Sequence, residues 1–341
     1  MQLRTGLAAA FVAATVALVS AALPPTLIGP LDGRQVFPLS NWWNQDISGA
    51  PVDPGSAAFI NFVSGRTAAN PTATRRLHPD FGPSPYGIPY VVVSGDQPLV
   101  APRWTAYGDE SDNGAPGRPA GYPIPAEART QPNYIEGAVT GGGTSGDRHM
   151  LVIDRDNGLL FETAGTRWNA ALGRWDADCG AVFNLNDNNR RPETWTSADA
   201  AGLAIFPGLV RYDEVYAAAE IRHAFRVTVR ATNGYVWPAS HRAGATGGAL
   251  PMGARLRLKA SKNLSTFRPE MQRIFRAMQR YGLIVADNGS DMYITGTMDG
   301  RWDNGVLNPA FEALTADDFE VVQLGWRGNR PSKPTNLRII R

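Results

Sequence analysis

Cysteine is almost missing from the 341-residue chain. The single Cys179 rules out an internal disulfide, so stability has to come from burial. In the context DADCGAVF it reads as a buried, inert thiol beside a strand rather than a nucleophile. Histidine is scarce, with His78, His149, His223 and His241 the only four. Charged residues make up 19%, below the roughly 25% of an average domain, which speaks against a largely helical protein. Beyond residue 22 no apolar run is long enough to span a bilayer. The familiar chemical signatures are also missing: there is no GxSxG elbow, HExxH pair, Walker loop or dinucleotide fingerprint behind a predicted strand. The GGG at 141–143 stands in a polar loop with no predicted helix after it, and reads as a flexible loop.

The net charge of +2 belongs to the ends of the chain. Arg4 lies in an apolar leader, and Arg327, Arg330, Lys333, Arg338 and Arg341 lie in a tail without any acid. Setting these six aside leaves 27 basic groups against 31 acidic, so residues 23–326 carry about −4. No basic stripe remains for nucleic acid.

Glycine, proline and aromatics are plentiful: 36 Gly, 26 Pro, 9 Trp, 10 Tyr and 13 Phe favour short strands joined by tight turns. The N-terminus, MQLRTGLAAAFVAATVALVSAA, has a positive residue, an apolar stretch and small residues in the order of a secretory signal peptide. Cleavage is expected near Ala21 or Ala22, leaving a secreted, extracellular protein. Residues 23–326 then form one domain, and 327–341 a linker into a truncated module.

Three Asn-Gly pairs predict hairpins. Asn157-Gly158 joins 149–154 to 159–165, Asn233-Gly234 joins 223–230 to 235–241, and Asn288-Gly289 joins 282–287 to 291–296. Further strands are expected at 87–95, 98–107 and 254–261. One long helix is predicted at 269–281, where Met271, Ile274, Phe275 and Met278 recur at helical spacing, Pro269 opens it and Gly282 stops it. The fold expected is mainly β, a jelly-roll-like antiparallel β-sandwich with one packed α-helix (269–281).

Alternation places candidate chemistry at strand ends. His149 shares a face with Leu151 and Ile153, His223 with Phe225 and Val227, and Tyr235 and Trp237 align with His241. A tight 233–234 turn would bring His241 to His223 and Glu220. The predicted catalytic cluster is therefore Glu220, His223 and His241, with Asp147 and His149 at the neighbouring strand entrance. An imidazole beside a carboxylate is a general acid/base pair, since each tunes the other. Glu136, Glu162 and Asp199 are the reserve carboxylates, and Trp195, Trp237, Arg191 and Glu136 are expected to bind substrate. No cofactor is expected. A divalent metal on converging histidines is the alternative. Asp287 to Asp291 reads as a turn rather than a calcium loop.

Many stretches resemble a family of secreted bacterial proteins frequent in actinobacteria: LHPDFG (77–82), GDRHMLVID (146–154), NRRPETWTSADAAGLAIFPGLVRYDEV (189–215), EIRHAF (220–225), PMGARLRLKAS (251–261) and YGLIVADNGSDMYI (281–294). The resemblance spans about residues 37–325. It implies one intact domain whose relatives often carry appended carbohydrate-binding or fibronectin type III modules, and it brings no catalytic residues with it. PTNLRI near the C-terminus resembles the opening of such a fibronectin module.

An exported, Trp-rich β protein of this kind is expected to act on an extracellular polysaccharide, as a monomer without nucleic acid or membrane partners. Glycoside hydrolysis by paired carboxylates is the favoured reaction. The alternatives are a polysaccharide lyase, with His149 or His223 as base and Arg190 or Arg191 neutralising a uronate, and a non-catalytic glycan-binding domain.

Overall fold

The computed structural model describes residues 23–328 apart from 32, 115–118 and 218, so the leader and most of the tail lie outside the described residues. Runs of β-branched and aromatic residues assemble into two large sheets and a small one. The first sheet has the order β1 (Thr26–Leu27), β3 (Tyr90–Val93), β5 (Met150–Asp154), β6 (Leu159–Ala164) and β9 (Cys179–Asn184). The second runs β14 (Phe319–Val321), β11 (Arg255–Leu258), β12 (Leu283–Asn288), β10 (Phe225–Val229), β13 (Tyr293–Met298) and β2 (His78–Gly82). The small sheet holds β4 (Arg103–Trp104), β8 (Arg174–Ala177) and β7 (Arg167–Asn169). Of the expected strand 98–107, only β4 forms, parallel to β8.

The protein is mainly β, as expected, but the sheets are mixed rather than wholly antiparallel. β3 runs parallel to β5, β10 to β12 and β13 to β2. One apolar core joins the large sheets through alternate residues of each strand: Tyr90, Val92, Leu151 and Ile153 from the first, Phe225, Val227 and Val229 from the second. The other face of the first sheet (Val91, Val93, Met150, Val152) is covered by Tyr122, Ile124, Tyr134 and Trp175.

The helices are α1 (Ser56–Ser64), α2 (Glu127–Thr130), α3 (Tyr212–Val215), α4 (Pro269–Arg280) and α5 (Asn304–Glu312). In α4 the predicted residues Met271, Ile274, Phe275 and Met278 are all buried. The chain then turns at Gly282, with φ +77, where a Cβ would stand 2.5 Å from the carbonyl oxygen of Leu256. Only glycine fits that close approach.

The three Asn-Gly turns fare differently. Asn157-Gly158 closes the β5–β6 hairpin, in register from Met150–Thr163 to Asp154–Leu159. The other two hairpins do not form. After Asn233 the chain makes only isolated bridges, Asn233 with Ala245 and Tyr235 with Met252, and 235–241 is not a strand. β12 and β13 flank the Asn288-Gly289 turn but do not pair with each other, because β10 lies between them and bonds to both.

Candidate active site

A cleft of about 780 Å³ opens where the N-terminal ends of β5 and β9 and the C-terminal end of β6 meet the C-terminal end of β12. Asp147, His149, Cys179, Ala198, His241 and Asp287 contribute to its lining. The end of β12 supplies Asp287, and the entry to β5 supplies Asp147 and His149, which share the cleft with His241 but not with Glu220 or His223.

His149 is buried, and acceptors meet both of its ring nitrogens. Nδ1 is 2.6 Å from Glu136 Oε2, and Nε2 is 3.0 Å from the carbonyl oxygen of Ala198. Two acceptors call for two N–H donors, which is the imidazolium form. Burial opposes that charge, but the Glu136 carboxylate overrides it and lifts the His149 pKa to about 9. Glu136 is correspondingly drawn below the usual carboxylate range, with burial working against the shift. Glu136, expected as a substrate contact, thus holds the histidine of the cleft.

Behind the cleft, Arg226 of β10 grips Asp199 with two hydrogen bonds of 2.7 and 2.8 Å. It also donates to Thr295 Oγ1 at 2.7 Å and to Asp287 Oδ2 at 3.2 Å. Asp199, one of the reserve carboxylates, is fully buried and acts as the counter-ion of Arg226. Asp287 is left between a cation and a second acid. Burial, followed by repulsion from Asp199, raises its pKa to about 6 against the pull of Arg226 and His149. Glu162, also fully buried, accepts from the backbone N–H groups of Ile205 and Phe206, and burial pushes it up to about 7.

His241 reaches the cleft by another route. Its Nδ1 donates to the carbonyl oxygen of Ala200 at 2.8 Å, two residues along from the carbonyl that holds His149. That bond puts a hydrogen on Nδ1, so that in the neutral ring Nε2 is an acceptor. Cys179 lines the same cleft, but it is buried, donates to the Ser197 carbonyl oxygen at 3.0 Å, and has its thiol pKa pushed up to about 12 by burial. It is inert, as its sequence context indicated.

Glu220 and His223 do not join this group, because the hairpin that was to connect them with His241 is absent. His223 Nε2 lies 2.8 Å from Glu214 Oε2, and Arg211 bonds the same carboxylate. Glu220 is exposed and pairs with Arg276 of α4 at 2.9 Å. The two line a separate cavity.

The expected substrate contacts are also elsewhere. Arg191 is buried against Asp112 and the Thr196 carbonyl, with Trp195 stacked on its guanidinium at 5.4 Å. Trp237 packs edge-on against Trp42 and under Arg327. Among the described residues, no group of three or more His, Cys, Asp or Glu is placed to hold a metal ion. The residues that sequence reasoning missed are Asp287 and Arg226. Arg226 alternates onto the polar face of its strand, a visible signal, whereas Asp287 was absorbed into a turn. Models of known protein families, curated proteins and solved structures were compared with the chain, and none matches it.

Proposed function

We propose that the protein is a secreted glycoside hydrolase acting on an extracellular polysaccharide, with the two large sheets as the layers of a β-sandwich. The observation that carries this reading is Asp287, a carboxyl group in an open cleft whose surroundings keep it protonated up to about pH 6. A group poised there suits a general acid. Asp287 delivers its proton to the glycosidic oxygen as the C1–O bond breaks. Asp147, an exposed carboxylate of the same cleft, serves as base toward water or as nucleophile at C1. His149, fixed as a cation by Glu136, steadies negative charge nearby and does not abstract a proton. Arg226 positions Asp287.

The test is product release from a panel of polysaccharides, read as new reducing ends. Wild type should release them, and Asp287→Asn should lose about 10²-fold or more of the rate while melting normally. Full activity in that variant rejects the assignment of Asp287.

The free Nε2 of His241 favours a second reading, a lyase with His241 as base. It differs from the lyase expected from the sequence, since His149 has no nitrogen left to accept a proton and Arg191 is held by Asp112. A lyase yields an unsaturated product absorbing in the ultraviolet, and a hydrolase does not. Retention on insoluble glycan with no product from any polymer would favour a binding domain.

A further inference from the structure

We infer that the cavity beside His223 is a second ligand site, taking a small organic anion with an apolar body. This goes beyond the proposed reaction and does not depend on it. The cavity measures about 570 Å³, within the roughly 300–1,000 Å³ range of small-molecule sites.

The apolar part of its wall comes from Leu31, Val36, Tyr90, Pro207 and Ile221. Its roof is the N-terminal arm. β1 pairs with β3, Ile28 N–H donates to the Tyr90 carbonyl at 2.8 Å, Tyr90 Oη donates to the Gly29 carbonyl at 3.0 Å, and Asn44 Nδ2 donates to the Val36 carbonyl at 2.8 Å. Both ends of the arm are thereby pinned, with Leu31 packed against the core between them.

Charge decides the class of ligand. Among the described residues, each acidic residue on the wall already faces a cation: Glu214 faces Arg211, with His223 beside it, Asp213 faces Arg301 at 2.9 Å, and Glu220 faces Arg276. Among the described residues, Arg34 donates to neutral oxygens alone, those of Arg155 and Asn186. Arg222 is exposed and has no acidic partner among the described residues. Among the described residues the cavity therefore offers an exposed guanidinium without an acidic partner, and an apolar wall beside it. Carboxylate and phosphate are both anions that a guanidinium recognises, and an apolar body fills the space against Leu31 and Ile221.

Titration calorimetry on the whole protein tests this with hexanoate, benzoate and phenyl phosphate as probes. Acetate, inorganic phosphate and benzyl alcohol serve as probes lacking one of the two features. At least one of the first three should bind about tenfold or more tighter than its truncated counterparts. Arg222→Ala, at an exposed position, should weaken that binding about tenfold, Arg222→Lys should weaken it less, and Leu31→Trp should abolish it by filling the cavity. Asp287→Asn should leave it unchanged. The inference is overturned if no probe binds the wild type, if Arg222→Ala binds as the wild type does, or if Asp287→Asn abolishes binding, which would place the probe in the cleft. Preference for phenyl phosphate over benzoate, or the reverse, identifies the anion.

Discussion

Two histidine–carboxylate pairs of nearly equal length sit in this molecule, His149–Glu136 at 2.6 Å and His223–Glu214 at 2.8 Å. Their surroundings give them opposite characters. Around His149 the acids are buried: Asp287 and Glu162 stand close enough to feel its charge, yet burial, with repulsion from Asp199 added, drives them up to about 6 and about 7. Around Glu214 cations are in excess. Burial resists, but Arg211 and His223 together hold its pKa down at about 2. The first arrangement contains groups that exchange protons near neutrality, as functional sites do. The second is a fixed ion cluster. A short distance between imidazole and carboxylate therefore says little by itself, and burial together with the charge of the next neighbours decides whether the surroundings are poised or locked.

Removing the centre of the cleft network should have the largest effect. Arg226→Met leaves the fully buried Asp199 without its cation and should cost about 3–5 kcal/mol in urea unfolding. A loss below about 1 kcal/mol would mean that Asp199 finds another partner. Next comes the activity loss of Asp287→Asn, about 10²-fold, equivalent to about 2.7 kcal/mol of barrier. Glu214→Gln should cost about 2 kcal/mol of stability by weakening two charge-assisted hydrogen bonds, without shifting the pH profile of the reaction proposed for the cleft. A shifted profile would join the two regions functionally.

The pH dependence of stability sharpens the contrast. Glu214 is depressed in the folded state, so its contribution is complete above the usual glutamate value of about 4.5 and fades as pH falls toward about 2. His149 is raised, so its contribution is complete below about 6.5 and is lost as pH climbs through about 9. Asp287 and Glu162 are acids with raised values, favoured when protonated, and they begin to cost stability as pH rises toward about 6 and about 7. Melting temperature should consequently peak on the acid side of neutrality. Glu214→Gln should flatten the acid limb, and Glu136→Gln the alkaline one. Smallest of all, Glu220→Gln removes an exposed pair with Arg276 and should change stability by under about 0.5 kcal/mol with activity intact.

What the sequence revealed depended on how local the information was. α4 was legible because four apolar residues and a terminal proline lie within one short stretch. The β5–β6 hairpin was legible because its turn and its pairing are adjacent. The fate of 235–241 was not, since that stretch reads as a strand but finds only an isolated bridge to Met252. The candidate site divided in the same way. Asp147 and His149 were found together because they are neighbours in the chain, whereas Asp287 meets Arg226 only through the parallel pairing of β12 with β10. His241 was placed beside the wrong partner for the same reason. No local pattern encodes that β10 enters between two strands consecutive in sequence.

That insertion also constrains how the chain reaches its native state. Leu283–Asn288 and Tyr293–Met298, joined by Asn288-Gly289, are adjacent enough to zip into a hairpin within microseconds. In the finished sheet these two strands bond instead to Phe225–Val229, a segment far upstream, with Val210 taking the far end of the second. The local pairing is absent from the native sheet, and the native one has to close a much longer loop. Because Arg226 rides on the inserted strand, the cleft cannot acquire its central cation until this slow, non-local step has taken place.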